Sequence, residues 1–208
     1  MKKCAIIPSY IEGELSELFP DPENYYVICA DGGYEKAKQA GIRPDLIIGD
    51  FDSCTGAPAA DDIPVLTLPT EKDDTDTGHS LSYAISEGFT DITIFGGLGG
   101  RFDHTIANVQ NIAGACVQGA AVRLVSRNNI FTVIRDSEIT IPKKEGWKLS
   151  VFSLSDICEG VTLSGVYYLL DDYTLTNTFP LGVSNEFDEE EAFIRVRHGI
   201  LLIVTSRD

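Results

Sequence analysis

Three clusters of acidic residues follow short apolar runs in the first half of the chain. They lie at residues 31–33, 49–53 and 71–76, with the sequences DGG, GDFDS and EKDDTD. Asp50 and Asp52 are two residues apart, so in an extended strand their side chains face the same way, about 6–7 Å apart. Two carboxylates about 4 Å apart repel by roughly 4 kcal/mol unless a cation lies between them. Oxygen ligands without His or Cys therefore indicate Mg²⁺ or Ca²⁺.

Each aspartate in these clusters also has an ordinary structural interpretation. Asp and Gly are common turn and helix-cap residues after a strand, and Asp74 or Thr75 is placed to cap the helix that follows. Three acidic clusters at the ends of three successive strands nevertheless favour a ligand or metal site, because ligands bind at that edge of open α/β sheets.

A glycine-rich segment, GGLGGRFDH at residues 96–104, lies between a predicted strand and a predicted helix. Glycines let backbone N–H groups approach an anion closely, and a helix N-terminus favours negative charge. Arg101 adds a cation with a planar donor fork. The segment is neither a Walker loop nor a Rossmann fingerprint, since no Gly-Lys-Ser/Thr follows and Phe102 replaces the third glycine. We expect a triphosphate-like ligand here; the alternative is a tight turn, with His104 as a cap or packed residue.

Two stretches in the second half have the composition of a site for a flat heterocycle. They are Tyr167-Tyr168 and GVSNE at residues 182–186, which combine aromatic rings with small polar groups. Ordinary strands and a turn explain the same composition equally well. His79 and His198 show no ligand spacing.

The elements that must position these residues alternate between strands and helices over the first part of the chain. Runs rich in Val, Ile and Leu predict buried strands at residues 4–8, 26–30, 46–48, 65–68 and 92–95. Helical spacing predicts helices over 75–87 and 105–118. The apolar face of the second helix is predicted to contain Ile106, Val109, Ile112, Ala113 and Cys116. Helix C-caps are expected at Gly41, Gly88 and Gly119. The alternation predicts a parallel, Rossmann-like α/β sheet.

After about residue 126 the pattern changes to short strands separated by turns, such as those at residues 143–146 and 171–172. Strand candidates lie at 130–134, 139–141, 149–154, 161–163, 166–170, 193–196 and 200–205, and no helical stretch of useful length remains. This pattern predicts an all-β sandwich. We therefore expect an α/β domain over residues 1–127, binding nucleotide and metal, and a β-sandwich domain over residues 128–208.

Charge and cysteine content exclude several classes of protein. The chain carries 16 Lys and Arg against 32 Asp and Glu, a formal net charge of −16, which argues against nucleic-acid or membrane-surface binding. No apolar run approaches the roughly 18 residues of a spanning helix, and the apolar start breaks at Pro8, so no signal peptide is expected. The five cysteines are scattered without a CxxC pair, which fits neither a disulfide framework nor a zinc site. A reduced, cytoplasmic protein is predicted.

Taken together and in this order, the motifs resemble those of the thiamine pyrophosphokinase family. The resemblance covers nearly the whole chain and is strongest in DGG, RPDLIIGDFDS (residues 43–53), EKDDTD and GGLGGRFDH; TLSGVYYLL and GVSNE match more weakly. It implies an N-terminal α/β domain, a C-terminal β-sandwich, and transfer of a pyrophosphoryl group from ATP to the hydroxyl of thiamine, giving thiamine diphosphate and AMP. It also implies a homodimer, with thiamine bound where the α/β domain of one chain meets the sandwich of the other.

The resemblance further implies roles for individual residues. Asp50, Asp52 and Asp76 would hold Mg²⁺ on the triphosphate, with Asp31 and Asp73 completing the acidic site. Either Asp73 or Asp52 would orient or deprotonate the attacking hydroxyl. Asp31 would also contact the nucleotide. The other nucleotide contacts would be Gly32, Lys72, Thr75, Arg101, Asp103 and His104, of which Arg101 is also catalytic. Thiamine would stack on Tyr168, where some family members carry Trp, and its pyrimidine would bond to Ser184 and Asn185.

Three other functions use similar residues. A pyrophosphokinase acting on a pterin alcohol would have similar acidic motifs, although GVSNE favours thiamine. A metal-dependent phosphoesterase would direct the same carboxylates at water and release phosphate or pyrophosphate from ATP without an acceptor. An acidic protein that binds Ca²⁺ and a partner protein would leave Arg101 and the glycine segment without a role.

Overall fold

The computed structural model describes residues 3–50, 62–69 and 73–208. The chain divides into two compact units, Met1–Arg127 (unit 1) and Asn128–Asp208 (unit 2). The predicted site residues Asp52 and Lys72 lie outside the described residues. Within the described ranges, every helix is too short or too polar to cross a membrane.

Unit 1 contains a parallel sheet. Its described strands are β1 (Lys3–Ile7), β2 (Tyr26–Ala30), β3 (Leu46–Gly49), β4 (Val65–Thr67), β5 (Asp91–Phe95) and β6 (Ala121–Val125). They lie in the order β6-β5-β1-β2-β3-β4, and all five pairings are parallel. Strands β1, β2, β3 and β5 are buried along nearly their whole length, which explains their continuous Val, Ile and Leu runs. The strand order reverses at β1, which has β2 on one side and β5 on the other.

The described helices of unit 1 connect these strands. They are α1 (Leu15–Leu18), a 3₁₀ turn (Pro22–Asn24), α2 (Gly33–Gln39), α3 (Asp76–Ser86) and α4 (Phe102–Val117). The two longer helices confirm the predicted ones to within three residues at each end. Gly41, Gly88 and Gly119 follow α2, α3 and α4 with positive φ angles of 70°, 82° and 90°, as expected for C-caps.

The buried face of α4 differs from the predicted one. Ile112 is buried as predicted and Ile106 is 51% exposed, while Asn108 and Ala115 are buried without having been predicted. The other predicted members are half-buried: Val109, Ala113 and Cys116. The reason is a tertiary hydrogen bond, because Nδ2 of Asn108 donates to the carbonyl oxygen of Gly97 at 2.8 Å. A buried polar side chain that is satisfied in this way sets the rotation of the helix against its apolar periodicity.

Unit 2 consists of two antiparallel sheets. Its described strands are β7 (Asn129–Arg135), β8 (Glu138–Pro142), β9 (Lys148–Ser153), β10 (Ile157–Ser164), β11 (Leu170–Thr176), β12 (Asn185–Glu186), β13 (Glu191–Arg195) and β14 (Ile200–Ser206). One sheet has the order β12-β9-β14-β7 and the other β11-β10-β13-β8. Both sheets contribute to one buried core, whose members include Leu149, Val151, Val161, Leu163, Ile194 and Ile203.

The prediction for residues 166–172 was wrong. The predicted strand over 166–170 is reduced to an isolated bridge between Val166 and Phe187, and β11 begins only at Leu170. The predicted turn at Asp171 and Asp172 lies inside β11, where Asp172 has φ 50° beside a register shift in the pairing with β10. Most of β11 is exposed, so it lacks the apolar pattern by which strands are recognised.

Candidate active site

The acidic residues of unit 1 lie at one edge of the sheet. Asp31 directly follows β2, Asp50 directly follows β3, and Asp76 is the first residue of α3, after β4. Because β2, β3 and β4 are parallel neighbours, their carboxyl ends meet at this edge. The topology therefore gathers carboxylates that are up to 45 positions apart in the sequence (76 − 31).

The GD sequence at residues 49–50 brings two strand ends into close contact. The N–H of Asp31, whose φ is 46°, donates to the carbonyl oxygen of Ile48 at 2.7 Å. A β-carbon on Gly49 would lie 3.0 Å from Cα of Asp31. Glycine at position 49 thus allows the chain that carries Asp50 to pass against the chain that carries Asp31.

A cavity of about 440 Å³ opens at this edge, where the strand order reverses between β1 and β5. Five predicted site residues line it: Asp31, Thr75, Asp76, Arg101 and His104. The rest of the lining is Pro8, Ser9, Tyr10, Thr77, Gly97, Gly99 and Asn108. A switch point of this kind is the usual ligand site of open α/β sheets.

The N-terminus of α3 forms one wall of the cavity, with Thr75, Asp76 and Thr77. Oγ1 of Thr75 accepts the N–H of Gly78 at 3.1 Å, which confirms Thr75 as the helix cap. Oδ1 of Asp74 accepts the N–H of Thr75 at 2.6 Å and is 3.3 Å from Nδ2 of Asn111. Asp74 therefore has a structural role, whereas Thr75 both caps the helix and lines the cavity.

The glycine segment uses several of its amides within the protein. The N–H of Gly97 donates to the carbonyl oxygen of Tyr10 at 2.8 Å, and the N–H of Gly99 donates to Oγ1 of Thr105 at 3.0 Å. The N–H of Gly96 donates to Val125. Contrary to expectation, these three amides do not form an open anion cradle.

Arg101 lines the cavity and forms a bidentate ion pair. Its Nε and Nη2 lie 3.2 and 2.6 Å from Oδ1 and Oδ2 of Asp103, and the two side chains are 74% and 63% exposed. The hydrogen bond from Arg101 lowers the pKa of Asp103, with a further contribution from the N–H of His104. The pair orients the guanidinium, while its exposure leaves it open to an anionic ligand.

Four further predicted residues lie in the described part of unit 1. Gly32 precedes α2, Asp50 is half-buried at the strand end, and Asp73 and Asp103 are exposed; none of the four lines the cavity. Within the described ranges, which exclude Asp52, no three His, Cys, Asp or Glu side chains form a complete metal site.

Unit 2 has its own cavity of about 260 Å³. Its lining combines apolar side chains with two of the predicted thiamine residues: Leu163, Tyr168, Leu170, Pro180, Leu181, Gly182, Val183 and Asn185. The ring of Tyr168 is 65% exposed and meets that of Tyr167 edge-on, with the centroids 4.9 Å apart. An exposed aromatic ring beside an apolar hollow suits a flat heterocycle.

Asn185 lines this hollow and Ser184 precedes it in the chain, but the two residues have different environments. Ser184 is exposed, has φ 59°, and its N–H donates to Oγ of Ser150 at 3.0 Å. Asn185 is only 3% exposed, and its amide bonds to the backbone of Tyr168. Tyr168 and Asn185 therefore line one hollow, whereas Ser184 adjoins Asn185 along the chain but is not part of the lining.

Comparison with known proteins gives matches over both units. The thiamin pyrophosphokinase catalytic-domain model matches residues 21–125, and the thiamin pyrophosphokinase vitamin B1 binding-domain model matches residues 136–201. Thiamine pyrophosphokinase of Bacillus subtilis is 30% identical, over 95% of this chain and 97% of its own. The chain belongs to the thiamine pyrophosphokinase family.

Solved structures agree with this family assignment. The crystal structure of the Bacillus subtilis thiamine pyrophosphokinase superposes with a TM-score of 0.87 at 29% identity, covering all of both chains. That of the thiamin pyrophosphokinase from Geobacillus thermodenitrificans has a TM-score of 0.86 at 27% identity, covering 99% of this chain and 98% of its own. Similarity to the thiamine pyrophosphokinase family therefore extends over the complete fold.

Sequence reasoning missed several residues of the unit 1 cavity, some of which lie before residue 21, where the match to the thiamine pyrophosphokinase catalytic domain begins. Ser9, Tyr10, Thr77 and Asn108 line the cavity but are absent from the sequence-based prediction. Ser9 and Tyr10 follow β1 as Asp31 follows β2, so the strand-end rule could have identified them. Asn108 gave no such signal, because its position is set by the contact between α4 and Gly97.

Proposed function

We propose that this chain transfers a pyrophosphoryl group from ATP to the hydroxyl of thiamine, giving thiamine diphosphate and AMP. The observation that carries the proposal is that a catalytic-domain and a vitamin B1 binding-domain match occur in order along one chain. The cavity of unit 1 supports it, because it places carboxylates and a guanidinium at the switch point of a parallel sheet.

The reaction breaks one phosphoanhydride bond and forms one ester bond. The thiamine hydroxyl oxygen attacks the β-phosphorus, and the oxygen that bridged the α- and β-phosphorus atoms leaves with AMP. The hydroxyl proton moves to a carboxylate, for which we propose Asp73 or Asp52. Since negative charge develops on the phosphate oxygens, this chain contributes chiefly by positioning and by stabilising that charge.

The carboxylates at the sheet edge suit a hard divalent cation. We propose that Asp50, Asp52 and Asp76 hold Mg²⁺, with Asp31 adjacent, because oxygen-only donor sets select such ions. Mg²⁺ would neutralise charge on the triphosphate. Gly49 lets the chain of Asp50 pass against that of Asp31, which is consistent with a shared binding place.

The remaining polar groups of the cavity suit the nucleotide. Arg101, oriented by Asp103, presents a planar donor fork to phosphate oxygens. Thr75 and Thr77 stand at the N-terminus of α3, where the helix dipole favours an anion. Contacts to ATP from Gly32, Lys72 and His104 are part of the same proposal.

Unit 2 is proposed as the β-sandwich domain that binds thiamine, through Tyr168, Ser184 and Asn185. We further propose a homodimer whose active sites combine unit 1 of one chain with unit 2 of the other. This arrangement is what the resemblance implies, and the 65% exposure of Tyr168 leaves its ring available for it. A reducing, cytoplasmic location is proposed because the five cysteines are odd in number and scattered along the sequence without a CxxC pair.

One assay tests the function. The purified chain is incubated with ATP, Mg²⁺ and thiamine, and the products are separated by chromatography. Equal amounts of AMP and thiamine diphosphate are expected. Phosphate or pyrophosphate released without thiamine would indicate a phosphoesterase, and transfer to a pterin alcohol in preference to thiamine would indicate the related pyrophosphokinase. Either result would overturn the proposal.

A further inference from the structure

The side chain of Asn185 bonds to both backbone groups of Tyr168. Oδ1 of Asn185 accepts the N–H of Tyr168 at 2.9 Å, and Nδ2 donates to the carbonyl oxygen of Tyr168 at 2.7 Å. Oδ1 also accepts the N–H of Glu186 at 3.0 Å. An amide oxygen has two lone pairs, so its accepting capacity is filled, and one N–H remains on a residue that is 3% exposed.

These hydrogen bonds lie where the backbone pairing ends and the exposed residues Tyr168 and Leu169 begin. The N–H of Tyr167 donates to the carbonyl oxygen of Glu186 at 3.0 Å, and Asn185 itself pairs with Leu149 of β9. Beyond them, the side chains of Tyr168 and Leu169 are 65% and 66% exposed. The Asn185 amide therefore extends the pairing by one residue and fixes the backbone from which the Tyr168 ring projects.

We infer that Asn185 is a positioning residue, which acts on thiamine through Tyr168 and is not itself a ligand of the pyrimidine. The inference rests on the proposed function, because it concerns the same substrate. It refines the sequence-based expectation of a direct hydrogen bond from Asn185, and it leaves Ser184, which is exposed, as the direct polar contact.

A double-mutant cycle tests this inference. Asn185→Ala is expected to raise the KM for thiamine about tenfold, the equivalent of roughly 1.4 kcal/mol, with little change in kcat or in the KM for ATP. In a Tyr168→Ala background the same substitution should raise the KM less than about twofold, because residues that act through one another are not additive. Multiplicative effects of the two substitutions would overturn the inference.

A second variant and a second substrate separate positioning from direct binding. Asn185→Asp keeps an acceptor for the N–H of Tyr168 but loses the donor to its carbonyl oxygen. It should therefore raise the KM for thiamine nearly as much as Asn185→Ala does. With thiamine and an analogue lacking the pyrimidine amino group, both variants should raise the two KM values by the same factor. If either variant changed the ratio of the KM for the analogue to the KM for thiamine, Asn185 would bind the pyrimidine directly and the inference would be overturned.

The outcomes also distinguish this inference from the proposed function. If the wild-type chain made no thiamine diphosphate, both the proposed function and the role of Asn185 would be contradicted. Active wild-type chain with additive effects in the cycle would remove only the role of Asn185. Failure of both Asn185 variants to fold, judged by circular dichroism and thermal melting, would likewise contradict it, because Asn185 would then support unit 2 as a whole.

Discussion

A β-carbon on Gly100 would lie 2.8 Å from Cε2 of Tyr10. The Tyr10 ring therefore packs directly on the glycine segment, and the carbonyl oxygen of Tyr10 accepts the N–H of Gly97. Because Tyr10 also lines the unit 1 cavity, this packing fixes the wall between the ends of β1 and β5. The absence of β-carbons at Gly99 and Gly100 thus allows the Tyr10 ring to lie close to the backbone of the glycine segment.

Gly100→Ala should displace that ring and weaken ATP binding. The added carbon overlaps Tyr10, and alanine is strained at the φ of 62° that Gly100 adopts. Overpacking of this kind costs about 1–3 kcal/mol, so we expect the KM for ATP to rise about tenfold with the KM for thiamine unchanged. Gly114→Ala is the matched control, since a β-carbon there meets nothing within 4 Å. An unchanged KM for ATP in Gly100→Ala would remove Tyr10 from the nucleotide site.

Arg101→Lys should slow pyrophosphoryl transfer even at saturating ATP, because lysine keeps the charge but loses the planar fork. Arg101→Ala should slow it further. The side chain is 74% exposed, so thermal stability should hardly change. Arg123→Lys provides the control, because Arg123 also pairs with an aspartate, Asp91, at 3.2 Å but does not line the cavity. Normal kinetics in Arg101→Ala would show it to be an ordinary surface residue.

Asp50→Asn and Asp76→Asn should each reduce turnover at saturating Mg²⁺ by about 10²-fold or more, since each removes charge from the proposed metal site. The fold should survive, and the melting temperature without metal should stay equal or rise, because repulsion between carboxylates is relieved. Glu87→Gln makes the same charge change at the opposite end of α3 and should leave turnover unchanged. Near-normal turnover in both variants would exclude these aspartates from catalysis.

Complementation between two impaired chains, assayed at a thiamine concentration well below the KM of the unit 2 variant, tests whether sites are shared in a homodimer. Asp50→Asn affects unit 1, and the double substitution Tyr168→Ala, Asn185→Ala affects unit 2. In a mixed dimer with shared sites, one site carries both defects and the other carries neither, so coexpression should restore part of the activity. Differential tagging confirms that mixed dimers form. If they form without any activity, each site is built within a single chain.

Alkylation at pH 8 should spare the cysteines of the sheet. Burial raises the pKa of Cys4 and Cys29 to about 12, so both stay protonated at pH 8, and the thiolate is the reactive form. Of the four cysteines in the described ranges, Cys116 alone is only partly buried, and it should be modified before the other three. Peptide mass mapping after iodoacetamide treatment measures the order, and denaturant should make all sites reactive. Rapid native labelling of Cys4 or Cys29 would contradict the packing of β1 and β2.

Local pattern predicted most of unit 1. Strands β1, β2, β3 and β5 are buried on both faces, so β2 is predicted at Tyr26–Ala30 and observed there. In contrast, β4 was predicted as a buried strand but is exposed, and β6 was not predicted. Unit 2 was harder where a strand is exposed. In β11 only Leu175 is buried, and two aspartates resemble a turn, so periodicity carried no signal.

The candidate site was predictable to the extent that strand ends determine it. Asp31 was found because it follows β2, and Asp76 because it lies in the acidic cluster at the start of α3. Tyr10 and Asn108 depend on contacts between elements far apart in sequence, which no local pattern records. The same limit applies to Asn185, whose residue type was noted but whose bonds to Tyr168 exist only in the folded unit.

The central place of β1 has a consequence for the order in which this protein can mature. Strand β1 contains residues 3–7, yet it pairs with β5, whose last residue is Phe95, and the cavity also needs Asn108 of α4. A growing chain therefore cannot form the unit 1 cavity until more than half of it has been synthesised. By mass action, a ligand that binds only the completed cavity stabilises the fold in which β1 and β5 are paired.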